Sequence, residues 1–438
     1  MRNPLRTSLV GVLPVAFMLA VASASAQVPG STAYFQPGTL ARYNAAYRSV
    51  PMRGGRQMPS ITIPLPLGLV QFFNDHPHLE DDPMFNPDST GFNPVQILNL
   101  IFNLPINLEL KKPPTPTNDV FIGIGKDSLQ VDLGAAKVLI PQDEVGFGGV
   151  TRVSDIGWGM KGFRVSVMGW IQEEIKFALG DTLIAFFNGQ PAQNNTRYAV
   201  TGHGLAAAGL APTIGYNGRV VGDSMHGLYV GAAVHYYLGA AYGSSSGNGG
   251  FTTGDTLFGG PTPVKFDAAA LTQYSTLGHT LGHGVGADIG FVYVSGPVEI
   301  GFGINDIGAT ITWPDTRQDS SFYKDSTYSR TTGTGVKTTT KLPVTYAGDV
   351  AVTINSTTFG LAVVDGGEGA TLRLGGEQRM GPFALRGGLG RDQHKRVQFG
   401  GGAGVRMGPV SFDVGVWTHA NALSSERSVT MGTSLSIY

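Results

Sequence analysis

His279 and His283 are the first residues in this chain whose type and spacing could hold a metal. On one helix face such a pair, with a Glu after the first His, makes a metalloprotease site. Here Thr280 follows His279, and Gly278, Gly282 and Gly284 disfavour the helix. The stretch reads as a polar outer loop entering a strand. Ser224 and His226 could form part of a nucleophile–base pair, but no G-x-S-x-G turn is present to present the serine. Glu80-Asp81-Asp82 with Asp88 does not have the spacing of a calcium loop and reads as a solvated run. With Cys 0, the chain has no thiolate or disulfide chemistry and no lipoprotein anchor. The expectation is a protein that is not an enzyme, with no metal and no cofactor.

The remaining candidate chemistry is a set of charges sharing one strand parity. From Ala370 to Met380, Ala370, Leu372, Leu374 and Met380 oppose Thr371, Arg373, Glu377 and Arg379. Phe383, Leu385 and Leu389 oppose Ala384, Arg386 and Gly388. Val397, Phe399, Ala403, Val405 and Met407 oppose Arg396, Gln398 and Arg406, and Val410 to Val416 opposes Ser411 and Asp413. Only a strand puts every second side chain on one face. If the apolar parity meets lipid, the other lines a lumen, because an Arg or Lys at mid-depth in lipid costs about 2–4 kcal/mol. Arg373, Glu377, Arg379, Arg386, Arg406 and Asp413 are therefore lumen-facing candidates for binding a ligand, with Asp288 and Glu299 on the same inner side. Two uses stay open: an ion-pair network that braces the wall, or a headgroup site in which Arg373 or Arg386 holds a carboxylate.

These charges need strands to position them, and the turns order the strands. Gly296-Pro297, Gly381-Pro382, Gly408-Pro409, Asn355-Ser356, Lys161-Gly162 and the stretch 222–225 all read as tight turns. Counted back from a periplasmic C-terminus, they all fall at the periplasmic end. The long polar stretches 171–211, 239–283 and 314–342 then fall outside, the asymmetry of an outer-membrane barrel. The count is about 14 antiparallel strands between 128 and 438, giving an all-β transmembrane barrel. A soluble pair of sandwiches would need neither one-sided loops nor so few charges. Charged residues are 14% of the chain, against about 25% in soluble domains. Net charge of −1 gives no case for nucleic acid.

Residues 1–26 read as a signal peptide: Arg2 and Arg6, an apolar run from Leu9 to Ala22, and Ala24-Ser25-Ala26 before a cleavage at Ala26/Gln27. The expected location is the bacterial outer membrane, with lipid as the first partner. Residues 27–118 hold 14 of the 26 prolines, poor material for ladder strands, and are read as an N-terminal plug or a periplasmic extension. Residues 119–438 are the barrel. Within the outer stretches, Ile171, Ile175, Leu179, Leu183 and Phe187 suggest a loop helix over 170–187. Gly239–Gly260 is expected to be flexible and 314–342 solvated and mobile.

The stretch from Gly375-Gly376-Glu377-Gln378-Arg379-Met380-Gly381-Pro382 to Phe383-Ala384-Leu385-Arg386-Gly387-Gly388 resembles the C-terminal hairpin of the FadL-type family of outer-membrane proteins, the fatty-acid-transporter, TraF-like and PorV-like group. Val294 to Trp313 is similar to that family's internal hairpin. The layout resembles the family over most of the chain, the text over roughly a quarter. The resemblance implies a barrel plugged by its N-terminus and, for the transporters, passive uptake of hydrophobic small molecules such as long-chain fatty acids. Gln36-Pro37-Gly38 only loosely echoes the family's NPA element. In the last strand Tyr438 shares its parity with Ser436, Ser434 and Gly432 rather than with Leu435 and Ile437. Gly400, Gly401, Gly402 and Gly404 could open a lateral path or simply pack a bend. The alternative function is a non-transporting structural or secretion-associated barrel that docks a protein partner through its outer loops.

Overall fold

In the computed structural model, the described residues are 44–51, the short strands at 61–65, 107–108, 121–125 and 128–132, and 145–437 with gaps at 258–263, 276–279, 325–326, 368, 392–396 and 421–426. The expected signal peptide, His279, the acidic run at 80–82 and Tyr438 lie outside them.

Nearly everything else is strand. From the N-terminal region come β1 (Ile61–Leu65), β2 (Asn107–Leu108) and a separate antiparallel pair, β3 (Phe121–Gly125) with β4 (Ser128–Asp132). The wall begins with β5 (Val145–Met160), β6 (Phe163–Leu179), β7 (Arg197–Gly222) and β8 (His226–Thr252). It continues through β9 (Lys265–Ser275) and β10 (Gly282–Ser295), which occupy one position because both pair with β8 and β11 (Val298–Lys324). Next, β12 (Thr327–Lys341) and β13 (Thr345–Ile354) share the far edge of β11. The meander closes with β14 (Thr357–Asp365), β15 (Ala370–Met380), β16 (Phe383–Arg391), β17 (Val397–Met407), β18 (Val410–Ala420) and β19 (Arg427–Ile437). All ladders among the described residues are antiparallel, and each wall position pairs with the next. Counted this way, β5 to β19 give thirteen wall positions among the described residues, with β1 laid along β19 as a fourteenth.

That last pairing adds to the sequence reading. Ile61–Leu65, proline included, pairs antiparallel with Thr433–Ile437, and Asn107–Leu108 pairs with Val429 and Thr430. A proline is tolerated there because β1 is an edge addition to the sheet.

The tight turns fall where expected. Gly296, Gly381 and Gly408 have φ of 55°, 60° and 60°. A Gly-Pro pair suits a two-residue hairpin of this kind: glycine supplies the positive φ and proline the negative one that follows, where no N–H is needed. The rim is laced together, since Thr353 donates to the carbonyl of Pro297, Arg379 to that of Ser356 and Arg406 to that of Pro382. At 223–225 the Asp223 carboxylate accepts the backbone N–H groups of Met225 and His226, each at 2.7 Å.

The two faces of the sheet divide as the parity argument requires. Outward-facing Val285, Ile289, Phe291, Ile300, Phe302, Leu361, Leu372, Leu374, Leu385, Leu389, Phe399 and Val416 are all exposed. On the opposite parity Asp288, Glu299, Glu377, Arg386 and Asp413 are buried. Isolated exposed leucines are ordinary, but an apolar belt crossing most strands on one face belongs against lipid. None of the described helices is long and apolar enough to cross a membrane.

Two expectations about the outer stretches are corrected. The segment read as a helix over 170–187 is β6 as far as Leu179, hydrogen-bonded on both sides to β5 and β7. Only Asp181–Phe187 (α1) is helical. The apolar spacing of four fits a helix turn and also one face of a strand, and the two ladders decide it. The stretches read as mobile are largely ordered strand: β7, β8 and β11 are 26, 27 and 27 residues long. A membrane span needs about 9–11 residues, which leaves roughly 16, or ~50 Å along the strand, projecting outward.

Candidate functional site: a three-tier lumen

The inner face of β8, β10 and β11 carries three tiers in order from the periplasmic end. Each strand contributes residues in the same vertical sequence, as a shared register demands.

The lowest tier holds a piece of the N-terminal segment. A 3₁₀ turn, Ala45–Ser49, is capped by the Asn44 side chain, which accepts from Ala46 N at 3.0 Å. Asn44 Nδ2 also donates to the Phe291 carbonyl at 3.0 Å, and the Tyr47 hydroxyl donates to the Asp349 carboxylate. Ala46, Tyr47 and Val50 pack with Tyr229, Val292 and Val294 in one buried cluster. Glycine makes the seat. A Cβ on Gly231 would lie 2.5 Å from the Ala45 carbonyl carbon, and one on Gly290 would overlap the Asn44 side chain. Any larger residue at either position forces the turn off the wall.

The middle tier is ionic and spans the lumen. Arg152 on β5 reaches Asp288 on β10 with both terminal nitrogens, the second at 2.8 Å, although β6, β7 and β8 lie between them along the wall. Arg152 Nη2 also contacts Asp306 on β11 at 2.9 Å. Asp306 accepts from the Tyr237 hydroxyl and donates its backbone N–H to Asp288 at 3.0 Å. His235 Nε2 lies 2.8 Å from Asp288, and its Nδ1 lies 2.7 Å from Thr213 Oγ1. Asp306 has φ of 60° in a bulge where the β10–β11 register shifts. A non-glycine residue held there costs on the order of 1–3 kcal/mol. The bulge is what turns this carboxylate toward Arg152.

The upper tier is aromatic. Trp170 meets Tyr237 edge-on with centroids 5.7 Å apart, and Tyr242 stacks on Trp313 at 5.1 Å. Met168, Ala207, Ala211, Ala309, Ile311 and Leu342 complete the cluster. Trp313 fits because Gly239 and Gly282 face it; a Cβ on Gly282 would sit 2.6 Å from its ring. Trp313 Nε1 donates to Thr340 Oγ1 at 3.0 Å. This tier lies at the outer border of the belt: among the described side chains of β6 the exposed large apolar residues end at Val167.

The residues singled out from the sequence form a separate group on the far wall. Glu377 accepts from Arg379 Nε and Arg386 Nε, each at 2.7 Å. Arg386 also pairs with Asp413, which accepts from Ser411 Oγ at 3.2 Å. So Glu377, Arg379, Arg386 and Asp413 come together in one bracing network across β15, β16 and β18. Arg406 Nε donates to the Gly408 carbonyl at 3.0 Å. Arg373 sits higher on β15 with the inward parity.

Arg152, Asp306, His235, Tyr237 and Trp170 were not singled out by sequence. Bulges hide them. The β5–β6 register shifts between Val153 and Ile156, and the β10–β11 register shifts around Asp306, so a fixed period of two loses the face. His283 is exposed on β10, and Ser224 and His226 flank the Asp223 turn.

No family model and no curated protein matches the chain. Among solved structures, it is similar to the CymD monoaromatic hydrocarbon channel at 14% identity and a TM-score of 0.35, over 72% of this chain and 95% of that one. It is similar to the Pseudomonas putida toluene transporter TodX at 10% identity and a TM-score of 0.29, over 72% and 98%. A variant of the Rh. blastica porin matches at 12% identity and a TM-score of 0.23, over 68% and 99%. The antiparallel ladder, the one-sided apolar belt and the inner face of buried charges and rings give this chain the architecture of an outer-membrane β-barrel wall.

Proposed function

We propose that this protein carries out passive uptake of hydrophobic small molecules across the outer membrane. The observation that carries this reading is the aromatic tier at the outer border of the belt. A passage for ions or sugars would place polar groups there, whereas Trp170, Tyr237, Tyr242 and Trp313 make this level of the inner face an aromatic cluster. Residues 27–118 act in this reading as the plug, supported by the seating of Ala45–Ser49 on the inner wall. The Arg152 cluster is the latch between plug and aromatic tier. Long-chain fatty acids are one cargo class in this proposal. Arg386 serves the brace, since Glu377 and Asp413 already occupy it.

The projecting strands favour a second reading. Roughly 50 Å of ordered sheet beyond the belt is more than uptake requires and would suit docking of a protein partner. Native mass spectrometry of the detergent-extracted protein separates the two. Co-purified hydrophobic molecules support uptake; a stoichiometric protein partner with no small molecule supports docking and contradicts uptake.

A further inference from the structure

The aromatic tier contains two buried polar groups that none of the described residues satisfies. Trp170 Nε1 has no acceptor and Gln172 Oε1 has no donor. Their residues are 1% and 4% exposed. Trp170 and Gln172 lie two positions apart on β6, so both side chains share the inner face. The Gln172 amide orientation is fixed: Nε2 donates to the Lys341 carbonyl at 2.9 Å, and the flipped amide would set oxygen against oxygen. The neighbouring indole shows that the fold can satisfy such a group, because Trp313 Nε1 has Thr340 Oγ1. On the β7 side the rungs beside Trp170 and Gln172 are Gly209 and Ala207.

We propose that Trp170 and Gln172 form the polar end of a binding site for a neutral, hydroxyl-bearing aromatic molecule of the phenol type. An indole N–H only donates and an amide oxygen only accepts; a hydroxyl is the small group that does both at once. The rings of Trp170, Tyr237, Tyr242 and Trp313 receive the apolar body. An ionised carboxylate is disfavoured at this point. The nearby Arg152 has both terminal nitrogens committed, and Asp288 and Asp306 stand beside it. The proposal deepens the uptake reading and rests on it for the molecule's route.

The test compares 4-ethylphenol with ethylbenzene, which differ by the hydroxyl alone, binding to the full-length protein in detergent by isothermal titration. The expected result is about tenfold or more tighter binding of 4-ethylphenol, because a site built for a hydroxyl leaves its own groups unpaired when the hydroxyl is absent. Gln172→Leu and Trp170→Phe should each bring the ratio toward one. Equal binding by the unaltered protein, as expected if a trapped water satisfies both groups, would overturn the proposal without needing any variant. So would failure of both compounds to bind, or a preference that survives Gln172→Leu. Ethylbenzene uptake by cells, measured separately, reports on the uptake reading alone. Uptake without a 4-ethylphenol preference removes the site and leaves that reading standing.

Discussion

Arg152 is the residue on which the middle tier depends. It faces two buried carboxylates, Asp288 and Asp306, and draws them together from across the lumen. Removing one partner of a buried ion pair strands the other charge and costs about 3–5 kcal/mol. Arg152→Ala is therefore expected to lower the thermal midpoint in detergent substantially. Arg197→Ala, at the exposed Arg197–Asp267 pair on the outer sheet, should change it little. Equal effects of the two variants would contradict the latch. At the periplasmic rim, the N–H groups of His226 and Met225 hold the Asp223 carboxyl below the usual carboxylate range. A depressed folded-state pKa contributes stability above the unfolded value and loses it as pH falls through the folded one. The difference in thermal midpoint between the unaltered protein and Asp223→Ala should thus be present at neutral pH and vanish in acid. A difference that grew on acidification would have the wrong sign.

At the scale of elements, the 3₁₀ turn Ala45–Ser49 and its seat make the sharpest prediction. Gly231→Val inserts a branched side chain where the turn's backbone lies. The turn should leave the wall, and limited trypsin digestion should then cut at exposed Arg48 faster than in the unaltered protein. An unchanged cleavage rate would mean that the turn is not held by this groove. Sequence periodicity located the elements well wherever one face meets lipid and the other does not. The strands from Ala370 to Val416 and all the Gly-Pro turns were legible for that reason. It failed in the outer sheet, where both faces meet water: β12, with residues such as Thr331, Thr332, Thr338 and Thr339, has no apolar face to mark its period. It failed again at the latch, because bulges at Val153–Ile156 and at Asp306 break the parity that identifies an inward residue. The brace around Glu377 was legible because β15, β16 and β18 run without a bulge there.

The whole molecule is a wall with an apolar outside, a tiered inside and a long polar sheet projecting outward. Such a wall belongs in a membrane and resists extraction. Carbonate at high pH should leave the protein in the pelleted envelope, and unheated samples should migrate as a compact species in SDS gels. Recovery in the soluble fraction would contradict the membrane-facing belt. The central claim concerns cargo, and initial uptake rates test it most directly. Cells expressing the protein are compared with cells lacking it for a radiolabelled aromatic hydrocarbon and a radiolabelled sugar at limiting concentrations. The account predicts faster hydrocarbon uptake with the protein present and no change for the sugar. Equal hydrocarbon rates in the two strains, or an increase for the sugar alone, would contradict it.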